Sequence, residues 1–174
     1  MSIGSRDGGG IRRSRGAVSG LAILLLGVWG ALIPFVGPKV HYAFGSYASF
    51  HFTWARLWLD IMPGVAAVVG GALLVSAATR TRGVFGGWLA AAGGIWFAVG
   101  VPLSTLWQGA GNVGIGPALG GHIRQATEWV GFFYGLGAAI IALAAFSIGR
   151  FAVVSVRGVR TTERAVEPED RVAA

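Results

Sequence analysis

Residues 16–37 read GAVSGLAILLLGVWGALIPFVG, without one charged side chain. Crossing roughly 30 Å of hydrocarbon takes about 20 helical residues, and lipid offers the backbone no hydrogen-bond partner but itself. The stretch therefore predicts a membrane-spanning helix. Working outward, similar stretches predict three more spans, at about 60–79, 84–107 and 128–149. No residue between Gly83 and Ile123 is charged, but Gly109, Gly111, Gly114, Gly116, Pro117, Gly120 and Gly121 crowd its second part. Such a cluster reads as loop, so the third span should end near Trp107. Arg12, Arg13 and Arg15 before the first run would also suit a cleaved leader. Its apolar run is longer than the roughly 7–15 residues of a leader, so an uncleaved helix is expected.

The whole composition agrees. Of 174 residues, 54% are hydrophobic, 30 are Gly and only 12% are charged, against roughly 25% charged in soluble domains. A soluble globular domain and a disordered chain are both excluded. Cys is absent, which excludes disulfides, thiolate metal sites and cysteine nucleophiles. The net charge of +7 invites a nucleic-acid reading. Flanking of apolar runs by Arg explains it better, so no nucleic-acid partner is expected.

Topology follows from where the basic residues fall. One side of the four predicted spans holds Arg6, Arg12, Arg13, Arg15, Arg80, Arg82, Arg150, Arg157, Arg160, Arg164 and Arg171. The other holds Lys39, Arg56 and Arg124. Cytoplasmic loops carry the excess of Lys and Arg, so both termini are expected in the cytoplasm of a bacterial cell, with the protein in its plasma membrane. Residues 1–15 form a basic leader-in segment, 16–150 the four-helix domain and 151–174 a partly disordered tail.

The expected fold is an all-α bundle of four transmembrane helices. Small residues let helices approach closely in lipid, and each span has a stripe of them. Gly20 and Gly27 stand on the first, Gly64, Ala67 and Gly71 on the second, Gly86, Gly93 and Gly100 on the third, Gly131 and Gly135 on the fourth. The halves of the chain also correspond. A shift of 68 places Pro34 on Pro102, Arg56 on Arg124, Asp60 on Glu128 and Arg82 on Arg150; Trp29 and Trp96 match at 67. Two tandem helix hairpins inserted in the same orientation are predicted, related by an axis along the membrane normal. The prolines should stop or kink their helices near the outer ends.

The candidate polar site lies at the outer face. Asp60 and Glu128 are expected to begin the second and fourth helices, where an acid suits the exposed amides. Arg56 and Arg124 each precede an acid by four residues. Two-fold symmetry would let Arg56 reach Glu128 and Arg124 reach Asp60, framing a polar pocket on the axis. His41, His51 and His122 share that face but lack i,i+3 or i,i+4 spacing, so no metal or haem site is expected. No acid or base is expected at mid-membrane, which leaves proton-coupled transport without a relay residue.

The first outer loop carries Tyr42, Phe44, Tyr47, Phe50, Phe52 and Trp54. Alternation of Phe50, Phe52 and Trp54 with His51, Thr53 and Ala55 suits a short strand or extended segment. So many rings read either as interfacial anchors or as an interaction surface for a lipid head group or partner subunit. No phosphate loop, nucleophile elbow or zinc-protease helix occurs, and no cofactor is implied.

The stretches Trp29–Pro38 (WGALIPFVGP), Arg56–Gly64 (RLWLDIMPG), Gly93–Phe97 (GGIWF) and Gly131–Gly137 (GFFYGLG) resemble small four-span membrane proteins of GC-rich Gram-positive bacteria, across roughly residues 17–156. That group has no assigned activity, so the resemblance implies a fold and transfers no catalytic residue. A weaker similarity is to two-helix Ser-Pro-Trp repeat proteins. Here Ile33-Pro34-Phe35 and Val101-Pro102-Leu103 replace the tripeptide. The expected function is that of a non-enzymatic accessory or scaffold subunit, meeting a membrane partner through the aromatic loop; the small-residue stripes could also pair it with a second copy. The alternative is a lipid- or small-solute-binding protein or transporter using the outer polar site.

Overall fold

A computed structural model describes residues 14–41, 44, 50, 52–106, 118 and 120–152. The segments 1–13 and 153–174, most of the second outer loop and the end of the third predicted span at Trp107 lie outside the described residues. Among the described residues, four helices are long and apolar enough to cross a membrane: Gly16–Lys39, Trp54–Val75, Arg80–Ser104 and His122–Phe151. The chain is a multi-pass membrane protein, an all-α bundle of four helices. Each helix has small and large apolar residues on the inside and large apolar ones, such as Leu25, Val65, Trp88 and Phe146, on the outside. That pattern suits lipid on one side and close packing on the other.

Helix ends follow from local chemistry. Thr53 and Thr79 sit in extended backbone and accept hydrogen bonds from the amides of Arg56 and Arg82, capping the second and third helices. Pro34 and Pro102 lie inside the first and third helices rather than at their stops. Each helix ends within two residues of its proline, whose ring supplies no N–H to the carbonyl four residues before it and weakens that last turn. The end that carries Arg80, Arg82 and Arg150 is the basic end; the opposite one is the aromatic end.

First packs on second, second on third, third on fourth, and the first closes the ring on the fourth over a smaller area. That last seam is tightened by a 2.7 Å hydrogen bond between the hydroxyls of Ser19 and Ser147, both buried. Buried hydroxyls need such a partner in an apolar surround. At the basic end the Phe151 ring lies between Gly16 and Gly83, its position set by the missing side chains on both.

The two hairpins are packed alike. Gly27 lies against the Gly64 carbonyl, Ala67 and Val68; Gly94 lies against the Gly137 carbonyl, Ile140 and Ile141. Gly20 meets the Gly71 carbonyl and Val75, while Gly87 meets the Ala144 carbonyl and Ile148. Gly64 faces Ala31 as Gly137 faces Ala98. These contacts superpose the first helix on the third at an offset of 67 residues. They superpose the second on the fourth at an offset of 73, not 68. The helix starts at Trp54 and His122 do differ by 68. The fourth helix therefore carries five extra residues at its aromatic end, and it breaks at Phe133.

Candidate functional site

Both irregularities of the bundle lie in the second helix of a hairpin, near the aromatic end. In the second helix, Leu57–Ile61 forms a π-helical turn, in which the Met62 amide reaches back to the Leu57 carbonyl. Pro63 follows and has no N–H. In that wider register its missing donor would have served the Trp58 carbonyl. The indole Nε1 of Trp96 supplies the donor instead, at 2.8 Å from the third helix. In the fourth helix the break falls at Phe133, whose φ of −128° and ψ of −78° are not helical. There Trp29 Nε1 of the first helix donates to the Gly131 carbonyl at 3.1 Å. Trp29 and Trp96 differ by 67, Trp58 and Gly131 by 73. The two indoles are repeat mates, each bridging the defect of the opposite hairpin. A carbonyl in lipid that loses its helical donor, as that of Trp58 does to Pro63, has no water to bond and needs such a side-chain donor.

The predicted polar residues separate on this frame. The second helix begins at Trp54, so Asp60 is not in its first turn but inside the π turn, with a relative exposure of 2%. The fourth begins at His122, so Glu128 lies in its second turn, with a relative exposure of 0%. Neither acid serves as the expected helix-end cap. Arg124 is exposed in the first turn of its helix, and Arg56 is half-buried. At the packing offset, Asp60 corresponds to Phe133 and Arg56 to Trp129. The packing offset therefore does not by itself pair Arg56 with Glu128 or Arg124 with Asp60. The Arg56 charge acts on Asp60, its neighbour four residues on. Asp60 Oδ1 is buried and accepts no hydrogen bond among the described residues.

The aromatic loop divides in two. Phe44, expected on the interaction surface, is buried. It stacks edge-on against Trp129, Phe132 and Phe133, with ring centroids 4.9, 5.0 and 5.4 Å away. A single antiparallel bridge joins it to Ala118 of the second outer loop. The ring plugs the kinked end of the fourth helix. Phe50, Phe52 and Trp54 stand outward, 65%, 56% and 67% exposed. They do not form a strand: Phe50 turns with a φ of 57°, and Trp54 is already helical. Lys39 Nζ lies 5.2 Å over the Phe50 ring. Tyr42, Tyr47 and His51 lie outside the described residues.

Sequence reasoning missed one surface. Trp58, Met62, Pro63 and Ala66 of the second helix and Ala92, Gly93 and Trp96 of the third line an open, apolar groove of about 240 Å³. Its floor is the small residues and its upper wall the two indoles, an arrangement visible only once the π turn sets Trp58 beside Trp96. Among the described residues no three His, Asp or Glu side chains gather to hold a metal ion. Comparison with protein-family models, curated proteins and solved structures finds no match to this chain.

Proposed function

We propose that this protein is a non-enzymatic accessory or scaffold subunit of an assembly in a bacterial plasma membrane, with both termini cytoplasmic. The observation that carries the reading is the outward ledge of Phe50, Phe52 and Trp54. Phe52 and Trp54 stack on each other and Phe50 rests on Phe35, yet all three rings keep more than half of their surface outward. Exposed aromatic clusters mark contact sites. The ledge takes a second membrane protein or a second copy of this chain.

The test is mild purification from native membrane, with the wild type compared to the F50S/F52S/W54S variant. A stoichiometric partner, or a dimer, that the variant loses while still inserting is the expected result. A variant that no longer inserts would instead make the rings interfacial anchors and end the accessory reading. A second reading, binding of a lipid chain, draws on the Trp58–Trp96 groove. A bare protein that retains one lipid species through purification would favour it.

A further inference from the structure

We propose that Asp60 binds a monovalent cation of atomic size, a proton or sodium, in exchange with the Arg56 guanidinium. The residue is a carboxyl within the second membrane-spanning helix, and 2% of its surface is exposed. Ionisable side chains in that setting are costly and are kept for a use. Structural need does not explain this one. The other hairpin holds Phe133 at the corresponding place, fully packed, so the fold accommodates an apolar side chain there.

The chemistry of the unpartnered oxygen narrows the ligand. A carboxylate oxygen only accepts, so what completes Oδ1 must be a donor or a positive charge. The π turn contributes as well. An i→i+5 turn widens the helix by one residue and re-aims the side chains within it, and such turns recur at functional sites. Irregular membrane helices at the interface of internal repeats place ions in the same way.

The first helix, the third helix and the rest of the second make the main contacts on the π turn, and the fourth helix carries the buried Glu128 and the exposed Arg124. The first has no titratable side chain from Gly16 to Val36, nor does the third from Gly83 to Ser104. Arg56 is the charge that acts on Asp60 from within its own helix. It offsets the carboxylate when the site is empty. When a cation enters, that offset is no longer required, and Arg56 is released towards the aromatic loop that its helix start adjoins. Occupancy at Asp60 thereby reaches the surface next to Trp54.

Asp7, Asp60 and Asp170 are the only aspartates in the chain. In a D7N/D170N variant grown on carboxyl-labelled aspartate, the infrared carboxyl signal therefore belongs to Asp60, which is left intact. That protein, reconstituted in lipid discs, is titrated with acid in sodium chloride and in choline chloride. Conversion of the labelled band between its protonated and ionised forms, unaffected by sodium, establishes the proton as ligand. A sodium-dependent shift of the titration by tenfold or more in proton concentration establishes sodium-class binding in competition. Asp60→Asn should abolish the band, and Arg56→Gln should strengthen cation binding severalfold by removing the internal competitor. A band that stays unchanged from acid to alkaline pH in both salts overturns the proposal.

Discussion

The ring of Phe97 fills the space left by the missing side chain at Gly30. The two positions are repeat mates, 67 residues apart, and they meet across the bundle axis with Leu136 beside them. A perfect two-fold would put the same residue at both and leave either a hole or a collision. Pairing a buried Phe ring with no side chain resolves that conflict, because interiors are packed to the density of organic crystals.

Gly30→Ala should therefore destabilise the bundle. The added carbon would overlap the tip of the Phe97 ring, with Leu136 Cδ2 at 2.9 Å behind it. Overpacking of this kind costs about 1–3 kcal/mol. Detergent unfolding of the purified protein measures it. Phe97→Leu in the same chain should recover part of the loss, whereas additive destabilisation by the two changes would disprove the fit between them.

Replacing either indole by Phe isolates the defect bridges. Trp96→Phe keeps the ring but leaves the Trp58 carbonyl without its donor. Trp29→Phe does the same to Gly131. Hydrogen bonds between membrane helices average about 0.6 kcal/mol and reach about 1.7. Trp96→Phe should fall at the upper end, since Pro63 leaves that carbonyl no helical alternative. Amide exchange across Leu57–Met62 should quicken in Trp96→Phe and stay unchanged in Trp29→Phe. Equal behaviour of the two variants would show that the π turn does not depend on Trp96.

How much of this was legible in the sequence depends on what each signal reports. The spans were readable because lipid admits only long uncharged helices. The repeat was readable in the first and third helices, where Gly20, Gly27 and Trp29 recur as Gly87, Gly94 and Trp96 in the packing itself. The offset of 68 in the other pair came from Arg56, Asp60 and their matches, which mark distance from the helix start. Packing runs at 73, because the π turn and the Phe133 break change the register between start and contact. Neither irregularity has a hydropathy signature, although Pro63 marks one of them. Both helices start six residues before their acid, so Asp60 and Glu128 alike lie past the first turn and are buried. The inward direction of Phe44 is one that ring composition alone does not encode.

The division of the aromatic loop predicts opposite outcomes for two similar changes. Phe44→Ala removes a ring enclosed by Trp129, Phe132 and Phe133 and should cost about 3–5 kcal/mol. Phe52→Ala removes an exposed ring and should stay within about 0.5 kcal/mol. Thermal unfolding in one detergent compares them directly. A stable Phe44→Ala protein would mean that the fourth helix holds its kink without the plug.

Sidedness is open to a direct test because the chain has no Cys. His122 and Thr81 are both exposed, the first at the aromatic end and the second at the basic end. Each is changed to Cys in a separate variant, and intact cells are treated with a maleimide that cannot cross the membrane. His122→Cys should label at once and Thr81→Cys only after lysis, because basic loops are retained in the cytoplasm. The reverse pattern would place Arg80, Arg82 and Arg150 outside, and with them the aromatic ledge in the cytoplasm. The partner would then have to be sought on the other face. Labelling of both sites in intact cells would mean that the chain inserts in two orientations, which the excess of Arg at one end argues against.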